Sequence, residues 1–201
     1  MKLKICQVGE PVLRQTARPL SKREILDSEI QRLIDLMRET MRDAPGVGLA
    51  APQIGMPLRL AVIEDQPAYI EKMPPGHAQE RQRVAVPFHV IVNPRLTLLT
   101  KETAGFFEGC LSLSGFSAIV PRALSVRVDA LNEKAEPVTI EAHGWYARIL
   151  QHEIDHLEGT IYIDRMRSRT FMSLDNHNRY WKDVPAAELL EKLADTAASE
   201  F

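Results

Sequence analysis

Cysteine is scarce: the 201 residues include two, Cys6 and Cys110. A disulfide framework is excluded, and a reducing compartment fits better. No apolar run approaches the ~18 residues that cross a bilayer as a helix, so no membrane span is expected. Neither sign of charge dominates. Twenty-five Lys and Arg face 27 Asp and Glu, a net charge of -2, which argues against direct nucleic-acid binding. The opening "MKLKICQVGE" has no long apolar core, no small-residue cleavage pattern and no Arg/Ser enrichment. Neither a secretory nor a transit leader is expected, and a cytoplasmic protein is. No internal repeat is present. What remains is 45% hydrophobic and 26% charged. That is the balance of an ordinary globular protein, expected here as a single domain over 1–201.

The periodicities alternate between helix and strand. Ser21 to Met41 reads as one amphipathic helix, with Ile30, Leu33, Ile34, Met37 and Met41 at helical spacing and Ser21 as cap. Asp43 to Gly55 is punctuated by Gly and Pro and reads as loop or irregular strand. Strands are expected over Leu58 to Glu64, Phe88 to Thr100, Leu124 to Asn132 and Pro137 to Gly144, paired mostly antiparallel. Asp65 to Arg83 is polar and Pro-containing and reads as an exposed loop. A helix is expected from Gly144 to Glu158, stopped by Gly159, then a short strand in "TIYID" and a last helix over Pro185 to Ala198. The fold class is α+β: mostly antiparallel sheets packed around a central helix, with an N-terminal and a C-terminal helix.

That central helix carries "QHEIDHLEG", Gln151 to Gly159. Residues four apart share a helix face, so His152 and His156 aim two imidazoles at one point. Glu153 lies about 100° round, beside that point, where a carboxylate handles the proton of an activated water. The bare five-residue pattern also occurs in helices that hold no metal. Here the helix is apolar at Ile149, Leu150, Ile154 and Leu157, and a buried imidazole pair needs partners. A catalytic site usually takes three protein ligands and keeps one position open. The third histidine of the longer protease pattern is excluded, because that position holds Tyr162. Asp164 and Asp175 stay open, and Cys110 in "FFEGCLSLSG" is the better candidate, since a thiolate binds zinc or ferrous iron well.

Three segments, "GVGLAAPQ" (Gly46 to Gln53), "EGCLS" (Glu108 to Ser112) and QHEIDHLEG, resemble the three signature motifs of the peptide deformylases, in the family's order. "GFSAIVPR", "GWYARILQHE" and "DRMRSRTF" are similar as well. The resemblance implies a mononuclear Fe(II) hydrolase that removes the formyl group from N-formylmethionine on new polypeptides, with zinc, nickel or cobalt as substitutes for iron. Cys110, His152 and His156 are then the metal ligands and Glu153 the general acid/base. Gln53 and the backbone N–H of Leu111 bind the oxyanion. Gly46, Gly48 and Gly109 lie along an extended peptide. Val47, Phe106, Trp145 and Ile149, with the stem of Arg148, line the slot for the methionine side chain. Asp155 orients a neighbour, with Arg122 or Arg148 as its partner, and Glu108 stands behind a ligand. The partners implied are formyl-Met nascent chains, with at most transient contact to the ribosome, for a monomer or homodimer. The sequence departs from the family at Gly115, Phe116 and Ser117, where some members carry arginine, and the acidic tail from Pro185 is a poor surface for RNA. The alternatives are a zinc-dependent peptidase of another class and a non-enzymatic module that binds metal or nascent chains.

Overall fold

The computed structural model describes residues 2–195. The α+β expectation is met. Five strands pair in the order β1-β2-β3-β6-β7 and three in the order β4-β5-β8. Every pairing between these strands is antiparallel. Strands β1 (Gly48–Ala50), β2 (Leu60–Asp65), β3 (Val86–Leu98), β6 (Ser125–Leu131) and β7 (Pro137–His143) form the larger sheet. β4 (Thr103–Cys110), β5 (Leu113–Ala123) and the two-residue β8 (Met172–Ser173) form the smaller.

The N-terminal helical segment is broken into α1 (Lys22–Ile25) and α2 (Ser28–Asp43), not continuous as its periodicity suggests. Local capping decides this. Ser21 and Glu24 form a reciprocal capping box on α1. The Asp27 side chain then accepts the Glu29 N–H at 2.8 Å and starts a second helix. The apolar stripe of α2 still buries Ile34, Met37 and Met41, against Leu49, Leu60, Val62 and Val92.

Two expected loops are ordered. After β1, Ala51–Ile54 form a 3₁₀ turn that holds Gln53. The 65–83 segment carries two short helices, α3 (Pro67–Glu71) and α4 (His77–Glu80), and its two end residues are not exposed. Asp65 is fully buried, and Arg83 donates to it from Nε and Nη2 at 2.7 and 2.8 Å. The segment is thus stapled by a paired charge invisible to local pattern.

The central helix is α5 (Gly144–Leu157). Ala147, Ile149, Leu150, Ile154 and Leu157 pack against Ile63, Ile91, Val126 and Val128 of the larger sheet. Gly159, just beyond it, has φ +71, and a Cβ there would lie 2.8 Å from the Arg14 backbone. Only glycine ends the helix this way. The strand expected in "TIYID" is a 3₁₀ turn, Tyr162–Asp164, because the Asp164 carboxylate folds back to accept the Ile161 N–H at 2.8 Å. A three-residue helix, α6 (Leu174–Asn176), runs into a π-helical stretch, His177–Trp181. The last helix, α7, spans Ala186–Asp195, with Pro185 just before it, and positions 196–198 of the expected helix lie outside the described residues. Among the described residues no helix is long and apolar enough to cross a membrane.

Candidate active site

The β4–β5 hairpin reverses through Leu111 and Ser112, with Cys110 opposite Leu113. The N-terminal segment pins this turn: the Val8 N–H donates to the Ser112 carbonyl at 2.7 Å and Gln7 Nε2 to the Leu111 carbonyl at 3.0 Å. The turn therefore presents Cys110 to α5. The ligating atoms of Cys110, His152 and His156 all lie within 4.8 Å of one another, and no other group of His, Cys, Asp and Glu among the described residues converges in this way. Asp164, one of the two acids left open, lies outside this set and pairs with Arg14.

The neighbours of the three donors fit a cation. Glu108 Oε2 meets His152 Nδ1 at 3.0 Å, which leaves Nε2 for a metal. Cys110 Sγ lies 3.3 Å from His156 Nε2. Burial pulls His152 down, but its hydrogen bonds to Cys110 and Glu108 outweigh this and hold it well above its ordinary value. His156 is pushed well below, by burial and then by the charge on His152. Two imidazoles and a thiolate so placed are a donor set that suits a single metal ion. The His156 Nδ1 is buried without a partner.

Behind the ligands stands a buried ion network. Arg122 donates to Glu108 from Nε and Nη2, both at 2.9 Å, and also bonds Asp155. Arg148 Nη1 donates to Glu108 at 2.6 Å. Arg165 grips Asp155 at 2.7 Å from two nitrogens. Asp155 thus takes Arg122, as expected, and Arg165 in place of Arg148. Burial raises the Glu108 carboxyl, yet hydrogen bonds from His152 and Arg122 overcome it and hold it well below the usual carboxylate range. An ionised Glu108 therefore fixes the His152 ring.

Glu153 is the opposite case. It is buried, its Oε2 has no hydrogen-bond partner, and burial pushes its carboxyl up to about 7. A buried carboxylate without a partner is costly unless something polar belongs beside it. Gln53 is aimed by its own turn. Its Oε1 accepts the Ala50 N–H at 2.8 Å, which turns Nε2 toward Cys110 Sγ at 3.5 Å and Ser112 Oγ at 3.3 Å.

These groups open into a cleft of about 440 Å³. Gly46, Val47, Gly48, Gln53, Gly109, Cys110, Leu111, Trp145, Ile149, His152 and Glu153 all line it. His156 lies behind, 1% exposed. Phe106, expected in the slot, does not line the cleft; Phe107 does. Alternation along β4 explains the correction: Phe107 and Gly109 share one face. Phe106 and Glu108 share the other, toward Arg148; Glu108, next to Gly109, still reaches the cleft, while Phe106 packs on Arg148 and Trp145. Two of the three cleft glycines also have a packing role. A Cβ on Gly48 would lie 2.2 Å from Glu153 Oε1, and one on Gly46 would lie 2.9 Å from Leu111 Cδ1. They make room for the protein's own groups, and only Gly109 has space for a neighbour. Ser112, Arg83 and Leu174 were not singled out as site residues by sequence, and Phe116, noted there as a departure from the family, lines the cleft as well.

The polypeptide deformylase family model matches residues 2–171. Peptide deformylase 1A, chloroplastic, of Solanum lycopersicum is 44% identical over 94% of the chain, which spans 66% of that protein's length. Peptide deformylase, mitochondrial, of Homo sapiens is 42% identical over 90% of the chain and 72% of its own length. A peptide deformylase 1 from Bifidobacterium longum is 43% identical over 95% and 85%. The Met-Ala-Ser-bound class I type b peptide deformylase from Acinetobacter baumannii superposes with a TM-score of 0.72 at 32% identity, covering 83% of this chain and 99% of that one. A convergent Cys/His/His set, a buried carboxylate and an amide held on the same cleft are what three separated motifs build here, and with these likenesses the chain belongs to the peptide deformylase family.

Proposed function

We propose that the chain hydrolyses the formyl amide of N-terminal formylmethionine on nascent polypeptides, with Fe(II) held by Cys110, His152 and His156. The observation that carries this reading is the convergence of the three donors with Glu153 and Gln53 on one cleft. When bound, the ion supplies Lewis-acid activation of water and of the formyl carbonyl. Glu153 accepts the proton of the attacking water through its unpartnered carboxylate and delivers it to the amine nitrogen as the C–N bond breaks. Formate and a free N-terminus result. Glu153, whose carboxyl burial pushes up to about 7, would be favoured in its ionised form by a cation held on Cys110, His152 and His156.

Gln53 donates from Nε2 to the oxygen that becomes negative, together with the Leu111 N–H. Its two present contacts, at 3.5 and 3.3 Å, are long enough to yield to a charged acceptor. One such donor is typically worth about 10²–10³ in rate. Val47, Trp145, Ile149 and Phe107 receive the methionine side chain, and the strand edge at Gly109 pairs with the peptide backbone. The net charge of -2 supports an encounter with the nascent chain itself, without direct RNA binding.

Formyl-Met-Ala-Ser should be cleaved at least tenfold faster, by kcat/KM, than acetyl-Met-Ala-Ser or formyl-Val-Ala-Ser. Tenfold needs only about 1.4 kcal/mol of differential transition-state binding. The acetyl methyl crowds a position where formyl has hydrogen, and a β-branched side chain adapts to the slot less well than a thioether. Equal rates on formyl and acetyl peptides would assign a different amidase.

A further inference from the structure

The chain leaves the larger sheet at Asp65, the last residue of β2, and returns through Arg83 to β3. The register of β2 on β3 shifts between Ile63 and Asp65. The excursion between them ends against the active-site helix. Gly144, the first residue of α5, has φ +56, and a Cβ there would lie 2.5 Å from Gln82 Cβ and 2.9 Å from the Arg81 carbonyl oxygen. Gln82 itself adopts φ 47, an uncommon conformation for a residue with a side chain. Something must hold it there, and the bidentate pair of Arg83 with fully buried Asp65 is adjacent.

Arg83 also lines the cleft. Its guanidinium lies 5.3 Å from the Trp145 ring centre, and that of Arg81 lies 5.0 Å from the same ring. Arg81 has no carboxylate partner in the described structure. Burial lowers its pKa, followed by the charge of Arg83, so its contact with the ring faces of Trp145 and Phe106 stands in for lost hydration. Trp145 is thus a cleft wall clamped by the far end of the 66–82 excursion. We propose that Asp65 is a positioning residue for specificity: it locks Arg83, and Arg83 with Arg81 fixes Trp145 as the wall of the slot that receives the substrate's first side chain. This rests on the formyl-peptide reading above, since the slot is defined by that substrate.

Asp65→Asn keeps the shape of the side chain and removes the charge that fixes Arg83. Formyl-Gly-Ala-Ser has no first side chain and serves as the internal control. Asp65→Asn should raise KM for formyl-Met-Ala-Ser at least fivefold, leave kcat and metal content within twofold, and leave kcat/KM for the formyl-Gly peptide within twofold. Asp65→Glu should recover most of the loss. Equal losses on both peptides mean a merely structural role, and no change on either in a folded protein removes the role altogether; both overturn the proposal. Where Asp65→Asn does not fold, Asp65→Asn/Arg83→Gln strands no charge and is held to the same fivefold rise in KM. The second readout is independent of substrate. Trp145 and Trp181 are the two tryptophans, and in a Trp181→Phe background Asp65→Asn should red-shift Trp145 emission and increase its quenching by acrylamide. An unaltered spectrum overturns the latch. If wild-type protein hydrolyses no formyl peptide, yet Asp65→Asn produces the spectral change in the Trp181→Phe background, the function is refuted and the latch stands.

Discussion

Gly48 and Glu153 occupy one space: a Cβ on residue 48 would fall 2.2 Å from Glu153 Oε1 and 2.5 Å from its Cδ. The strand that follows α2 has to be bare at this point for the carboxylate of α5 to reach the cleft. Gly48→Ala should therefore behave as a Glu153 variant, with one bound metal per chain and kcat reduced by about 10²–10⁴, the usual worth of positioned proton transfer. Metal analysis and steady-state kinetics on formyl-Met-Ala-Ser check it. Near-wild-type turnover would mean that the carboxylate acts from elsewhere.

The two cysteines should separate cleanly. Cys6 is buried with its sulfur 3.7 Å from where a Gly55 Cβ would lie, away from the ligand set. Cys110→Ala should bind well under one metal per chain by elemental analysis, and Cys6→Ala should bind a full equivalent. Full occupancy in Cys110→Ala would sink the third-ligand assignment.

Acid should act through Glu108. Its folded-state pKa is depressed relative to the unfolded value of about 4.3, so the unfolded chain binds the extra proton. The stability it contributes is complete above that unfolded pKa and is lost as pH falls toward the folded value. Urea unfolding of chelator-treated protein should weaken more steeply below pH ~4.3 in wild type than in Glu108→Gln, by up to about 1.4 kcal/mol per pH unit. Identical slopes would mean that Glu108 carries no net linkage. At pH 7, Arg122→Met should cost about 1–3 kcal/mol, because Glu108 and Asp155 each lose a buried charged donor while keeping Arg148 and Arg165.

Metal identity should be read from oxygen sensitivity. A ferrous ion on a thiolate exposes both iron and sulfur to oxidation. Enzyme purified without oxygen should lose activity within minutes to hours in air, while nickel- or cobalt-loaded enzyme persists. Undiminished activity of the native form in peroxide would assign zinc.

Some of this was written locally in the chain. The His152–Glu153–His156 spacing fixes three side chains because one helix period places them, whatever surrounds the helix. Gly159 marks the helix end for an equally local reason, a positive φ. The strands Leu60–Asp65, Ser125–Leu131 and Pro137–His143 follow from runs that the sheet merely trims. Other features are properties of long-range pairing. β4 and β5 were not legible, since Phe106–Phe107 and Gly109–Cys110 lack a clean alternation until the hairpin bulge between Glu108 and Cys110 sets their faces. That register, and not the residue types, decides that Phe107 meets the cleft and Phe106 does not. The break at Asp27 is local, set by caps two and three residues apart, whereas the Asp65–Arg83 staple and the Arg122–Glu108–Asp155 network depend on partners that no local window contains. The sequence by itself determined which residues carry the chemistry, because helix period and motif order are local. Tertiary structure alone decided which way they face and what holds them, because a buried charge or a bare glycine takes its meaning from the atom opposite it.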